Sequence, residues 1–261
     1  MAIIDLYDGL LIDIDGVVRV GDEFMPDAVE AITEFDRRGL PYAFVTNSPR
    51  LTPSEHADEL RAGGLPVPDG RVATAAETLI SLVSRDVGDA PRAIVIGTGS
   101  FHRQVADAGI VEVDLGEWAS AAAVMVSGHD GFDYRELKAA AMAARSGALL
   151  AATGRDPTMP MPDGHWPGTG AILAAIETAS GVEATVTGKP FPAIFEAGLE
   201  AIGRPGRVAM VGDRADTDVA GAQGVGLDGI LVSRPGSATA QPEVTGVEPE
   251  HRIESMLDLL G

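Results

Sequence analysis

The 261-residue chain has no cysteine, only two lysines (Lys138 and Lys189) and no apolar run approaching a membrane span. The missing cysteines exclude disulfides and thiolate metal sites and fit a reducing compartment. A span needs roughly 18 to 20 continuous apolar residues. The start, Met1-Ala2-Ile3-Ile4-Asp5, has neither the basic flank nor the apolar length of a signal peptide. A cytoplasmic protein with no membrane partner is therefore expected.

Positive charge is scarce in general. There are 39 acidic against 19 basic residues, a net charge of −20 and a pI near 4.4, with the acid dispersed along the chain. Nucleic acid is excluded as a partner by that field. Few lysines among many dispersed carboxylates is the surface expected where concentrated salt screens repulsion. A salt-loving host predicts a melting temperature that rises between low and molar KCl. Thermal melts across that range check it, and a flat or falling curve refutes it.

What is present is enough for real cores: 45% of residues are apolar and 22% charged. Apolar runs of strand length alternate with helix-period segments, which predicts an α/β protein with a mostly parallel sheet. Strands are expected at Gly9–Ile14, Tyr42–Val45, Ala93–Ile96, Ala123–Val126, Leu149–Ala152, Arg207–Val211 and Gly229–Val232. Thr52-Pro53-Ser54-Glu55 and Thr74-Ala75-Ala76-Glu77 read as capping boxes that open helices. Gly97-Thr98-Gly99 reads as a helix-cap turn, with a glycine-rich anion turn as the alternative. The stretch Arg155–Gly170, dense in Pro and Gly, reads as an irregular functional loop.

In open α/β sheets ligands gather at the carboxyl ends of strands, so polar residues there carry the most information. Four clusters qualify: Leu10-Leu11-Ile12-Asp13-Ile14-Asp15-Gly16, Val45-Thr46-Asn47-Ser48, Thr187-Gly188-Lys189-Pro190, and Val211-Gly212-Asp213-Arg214-Ala215-Asp216-Thr217-Asp218. Two carboxylates one residue apart repel unless a cation neutralises them. Each cluster alone has an ordinary explanation: a turn at Gly16, a helix-opening Thr46, a solvated loop Lys189, and Asp216 or Asp218 as an N-terminal charge on a helix from Ala220 to Gly224. One metal and one phosphate account for all four. Asp13 and Asp213 would offer hard oxygens to Mg²⁺, Thr46 would hydrogen-bond a phosphoryl group, and Lys189 would neutralise it.

In this order and spacing, Asp13-x-Asp15-Gly16, Thr46-Asn47, Gly188-Lys189-Pro190 and Gly212-Asp213-x-x-x-Thr217-Asp218 resemble the haloacid dehalogenase superfamily of phosphohydrolases. The long stretch between Thr46 and Lys189 resembles the subfamily whose cap is inserted between the second and third motifs. That group includes p-nitrophenyl, pyridoxal phosphate, phosphoglycolate and polyol phosphate phosphatases and ribonucleotide monophosphatases.

The resemblance implies a Rossmann-like doubly wound parallel-sheet core, residues 1–90 and 185–261, and an α/β cap, residues 91–184. It makes Asp13 the nucleophile and Asp15 the acid and base. It gives Mg²⁺ to the Asp13 carboxylate, the Asp15 backbone carbonyl and Asp213, with Asp218 orienting Lys189 or the groups around the ion. Thr46, Asn47 and Lys189 would bind phosphate. Arg155, Asp156, His165 and Trp166 match where relatives contact substrate, although Gly154 stands where relatives often carry asparagine. The implied activity is hydrolysis of a small phosphorylated metabolite: a sugar or polyol phosphate such as glycerol phosphate, a nucleotide, phosphoglycolate or pyridoxal phosphate. Dimers through the cap are common among such relatives. The competing class is a non-enzymatic phosphate- or nucleotide-binding or receiver-like module. Asp15 speaks against a receiver, which needs no acid/base two residues beyond its phosphoacceptor, and the missing Gly-x-Gly-x-x-Gly speaks against a dinucleotide site.

Overall fold

The computed structural model describes residues 1–129, 131–161, 164–234 and 246–261, and the chain forms two compact units. The first comprises Met1–Thr46, Pro53–Ala73 and Lys189–Gly261; the second comprises Asn47–Thr52 and Thr74–Gly188.

The first unit begins with β1 (Gly9–Ile12), a short hairpin of β2 (Arg19–Val20) and β3 (Glu23–Phe24), and α1 (Pro26–Arg38). It continues through β4 (Tyr42–Thr46), α2 (Pro53–Ala62) and β5 (Val72–Thr74). The second unit holds α3 (Ala75–Val87), β6 (Arg92–Ile96), α4 (Gly99–Asp107), β7 (Val111–Glu112) and β8 (Ala123–Val126). α5 (Tyr134–Arg145), β9 (Leu149–Ala152), β10 (Thr158–Met161), β11 (Gly164–Pro167), α6 (Thr169–Ser180) and β12 (Thr185–Val186) complete it. The chain returns to the first unit with α7 (Pro192–Ala201), β13 (Val208–Gly212), α8 (Ala220–Gly224), β14 (Asp228–Val232) and β15 (His251–Ile253).

The sheet of the first unit runs β15-β14-β13-β1-β4-β5. β1 lies parallel to both neighbours, Leu11 opposite Met210 on one side and Ala43 on the other. The chain leaves β1 toward β4 and later crosses to β13, so the end of β1 is the topological switch point, where doubly wound folds bind ligands. Both faces are covered, which is why these strands read as continuous apolar runs rather than alternating ones. Leu10, Ile12 and Phe44 pack with Ile32 and Phe35 of α1 in one core. On α7, a Cβ at Gly198 would come within 2.9 Å of Val45 and 3.0 Å of Leu11, so glycine lets that helix lie directly on the strands.

The second unit has a five-stranded sheet, β12-β9-β8-β6-β7, with parallel pairings throughout. The fold is thus the expected parallel α/β core with an inserted α/β unit. Thr74 caps α3 by accepting from the Glu77 N–H at 3.1 Å, and Thr98 caps α4. Gly97-Thr98-Gly99 is therefore the cap turn.

Three expectations differ from the structure. β1 ends at Ile12 rather than Ile14, because Asp13 to Asp15 leave the sheet as the turn toward Arg19 begins. α3 lies in the second unit, not before a boundary at residue 90; its Leu79 and Val83 bury with Val95, Phe101 and Met125. The stretch 155–170 is not irregular: Thr158–Met161 pairs antiparallel with Gly164–Pro167, and α6 has begun by Thr169. Prolines hid this hairpin because they remove ladder donors and are tolerated in a strand only at edges. Pro162 and Asp163 of that stretch lie outside the described residues.

Candidate active site

Asp13 follows the buried Gly9-Leu10-Leu11-Ile12 strand, and its N–H still donates to the Val211 carbonyl of β13 at 2.9 Å. The sheet therefore fixes the backbone that carries its carboxylate. On the neighbouring strand, Gly212 ends β13, and a Cβ there would come within 2.3 Å of the Asp218 side chain. Glycine is needed for Asp218 to fold back over the strand end. A single irregular helical turn, Ala215–Val219, brings Asp218 round, and its Oδ2 accepts from the Arg214 N–H at 3.0 Å. Gly16 serves Asp213 in the same way: at φ 90°, it has no side chain where a Cβ would lie 2.2 Å from Asp213 Oδ2.

Lys189 Nζ lies 2.7 Å from Asp13 Oδ1 and 2.7 Å from Asp218 Oδ1. Its side chain is 4% exposed, so the solvated loop lysine is excluded. Asp13, Asp213 and Asp218 each offer a carboxylate oxygen within 4.8 Å of the others, the one such group of three among the described residues. Three carboxylates face one ammonium, and the imbalance shows in the proton affinities of Asp13 and Asp213. Burial pushes Asp13 well above the usual carboxylate range, Lys189 pulls it back, and Asp218 and Asp213 add to the rise. Burial and then Asp218 push Asp213 up to about 6, against Lys189 and Arg214. For Lys189, burial favours the neutral amine, but Asp13 and Asp218 outweigh it and hold the ammonium above its ordinary range. An all-oxygen cluster short of positive charge is the donor chemistry of a hard divalent cation.

Thr46 ends β4, and its side chain is buried. Asn47 begins the next segment, in the second unit, where a Cβ on Gly188 would lie 2.7 Å from its Oδ1. Asp15 is the exposed member of the pair, and Arg19 Nε donates to its Oδ1 at 3.0 Å. Asp216 lies in the first turn of Ala215–Val219, which runs directly into α8, and also pairs with Arg214 at 2.8 Å.

In the second unit, Arg155 is committed to Glu177 through two bonds of 2.8 and 2.6 Å. Asp156 gives its carbonyl to the Gly170 N–H, and His165 is exposed on β11. Trp166 lines a cavity of about 310 Å³ with His129, Phe132 and Met159. Sequence reasoning missed His129, Phe132, Arg19 and Glu59. Only Arg19, four residues beyond Asp15, stood near a motif.

Comparisons with known proteins identify the family. A family model described as haloacid dehalogenase-like hydrolase matches residues 10–111, and a second HAD-hydrolase-like model matches residues 186–259. The D-glycerol 3-phosphate phosphatase of Mycobacterium tuberculosis is 35% identical over 232 residues, 87% of this chain and 63% of that protein. Human glycerol-3-phosphate phosphatase is 32% identical over 97% of this chain and 90% of its own. The crystal structure of glycerol phosphate phosphatase from M. tuberculosis in complex with magnesium superposes with a TM-score of 0.84 at 30% identity, covering 99% of this chain and 78% of that one. The two family-model matches, together with 32% identity to the human protein over nearly the whole of both chains, place this chain in the haloacid dehalogenase-like hydrolase family, among its phosphatases.

Proposed function

We propose that the chain is a Mg²⁺-dependent phosphomonoesterase that works through an aspartyl phosphate, with glycerol phosphate leading the other small sugar and polyol phosphates as substrate. The observation that carries this reading is the buried Asp13–Lys189–Asp218 array, with Asp213 beside it, at the switch point of the sheet. The names of the two glycerol phosphate phosphatases support the substrate class.

In this reading Asp13 attacks phosphorus. The bond from phosphorus to the substrate's ester oxygen breaks, its electron pair stays on that oxygen, and Asp15 supplies the proton. Asp15, now a carboxylate, takes a proton from water as the water attacks the aspartyl phosphate; inorganic phosphate leaves and both aspartates are restored. Lys189 neutralises the phosphoryl oxygens while Asp218 holds it in place, and Thr46 and Asn47 donate hydrogen bonds to the phosphate. The Asp13 carboxylate, the Asp15 carbonyl and Asp213 would hold Mg²⁺, which supplies the positive charge that a chain of −20 lacks for an anionic substrate. Substrate choice is assigned to the second unit, through Asp156, His165 and Trp166; Arg155, occupied by Glu177, supports the fold there.

Phosphate release from a panel of phosphomonoesters, with Mg²⁺ or EDTA, tests the reading. The expected result is metal-dependent release with glycerol phosphate or a close polyol phosphate far ahead of nucleotides, phosphoglycolate and pyridoxal phosphate. No release from a folded protein would move the weight to a phosphate-holding, receiver-like module.

The acidic cluster also predicts a metal-linked stability. A carboxyl group at about 6 in the folded state, against about 3.9 unfolded, binds protons more tightly when folded. Its contribution is complete below about pH 4 and lost as pH rises through about 6. In EDTA the melting temperature should therefore fall over that interval. Mg²⁺ should raise it more at pH 8 than at pH 5, and Asp213→Asn should shrink both effects. Melts at the two pH values check this.

A further inference from the structure

Asp15 is paired in a way that fold stability does not explain. Arg19 Nε donates to Asp15 Oδ1 at 3.0 Å, while Arg19 Nη1 donates to Glu59 Oε2 on α2 at 2.8 Å. The Arg19 side chain is 16% exposed, whereas the Asp15 and Glu59 side chains are 54% and 47% exposed. Pairs with partners this open contribute little to stability. The backbone is nevertheless built to make this one. The Val18 and Arg19 N–H groups both return to the Ile14 carbonyl, at 2.9 and 3.1 Å, and the Gly16 N–H donates to the Arg19 carbonyl at 2.7 Å. This closed loop brings Arg19 back beside Asp15, and Glu59, 40 residues further on, fixes the far side of the guanidinium. With two carboxylates on it, Arg19 has little positive charge left for a phosphate.

A carboxyl group that must deliver a proton to one oxygen and then take one from water gains from fixed geometry, because proton transfer requires hydrogen-bond reach. Among the described residues, Asp15 Oδ1 is held by Arg19 and no other group holds Oδ2. We propose that Arg19, braced by Glu59, is the positioning residue that anchors Asp15 by Oδ1 and leaves Oδ2 for proton transfer. This rests on the reading of Asp15 as the proton donor.

The test separates positioning from general damage through the leaving group. An alkoxide needs a proton as it departs; p-nitrophenolate does not. kcat/KM, which reports the steps through departure of the alcohol, is measured with Mg²⁺ for p-nitrophenyl phosphate and for the fastest alkyl phosphate of the panel. The proteins are wild type, Asp15→Asn, Arg19→Ala, Arg19→Lys and Glu59→Gln. Arg19→Ala should lose about tenfold or more on the alkyl ester and less than about threefold on the aryl ester. Glu59→Gln should show a smaller loss of the same selectivity, and Arg19→Lys should recover part of it. Equal losses on both esters, or none, would overturn the proposal. If Arg19→Ala fails to fold, Glu59→Gln and Arg19→Lys decide by the same ratio. A selective loss in Asp15→Asn without one in the Arg19 and Glu59 variants sinks only the positioning role. No selectivity in Asp15→Asn itself sinks the proton-donor reading, and the proposal with it.

Discussion

Asp13→Asn is expected to lower phosphate release by about 10⁴-fold or more, roughly 5 kcal/mol of barrier, while moving the melting temperature by only a few degrees. The two effects separate because of how the site is built. The backbone of Asp13 is held by the Val211 carbonyl, and asparagine keeps nearly the same volume. Lys189 retains Asp218 at 2.7 Å, so the buried ammonium is not stranded. The native carboxylate is itself disfavoured by burial, so its loss removes a strained charge along with a favourable pair. Turnover, differential scanning calorimetry and acid-quenched mass spectrometry for a phosphorylated chain check the three parts. Substantial remaining turnover would exclude Asp13 as nucleophile.

Lys189→Ala should be the most damaging change to stability as well as ending turnover. Its ammonium bridges Asp13 and Asp218 in a site where it is 4% exposed. Removing one member of a buried charge network leaves the remaining charges uncompensated, at a cost of about 3 to 5 kcal/mol. In a chain of this size that is a fall in melting temperature of about 10 °C. The sign of its pH dependence follows from the same geometry. Without Lys189, Asp13 loses a partner that lowers its proton affinity, so it binds protons still more tightly when folded. The variant should therefore lose more stability at pH 8 than at pH 5. Mg²⁺ should return part of the loss at pH 8. By contrast, removing the exposed Arg85, paired to Asp86 on the surface, should leave the melt unchanged. Parallel melts of the two variants make the comparison.

The strands of the first unit were legible because a parallel sheet covered on both faces must be apolar at consecutive positions, as Leu10-Leu11-Ile12 and Ala209-Met210-Val211 are. The four polar clusters were legible for the converse reason: carboxylates, hydroxyls and a lysine at strand ends have few structural duties. The hairpin at Thr158–Pro167 was not, since proline interrupts the alternation that marks a strand. The boundary of the inserted unit was misplaced because α3 has a buried face that suits either unit, and sequence alone does not say which core takes Leu79 and Val83.

By itself, then, the sequence determined the fold class, the order of the motifs and the chemistry available: carboxylates without thiols, one lysine among the motifs, and a net charge that demands a cation for any anionic ligand. Tertiary structure alone decided which of those groups meet. Lys189 is 176 residues from Asp13 in the chain and 2.7 Å from it in space, and the pairing turned an ordinary lysine into a buried one. The Asp15–Arg19–Glu59 chain was equally invisible, because a short loop and a helix from a distant segment close it. Local pattern reports what each residue can do and which face it buries. Distances between charges, and therefore their proton affinities and their roles, depend on how the strands are ordered in the sheet, which no local pattern contains.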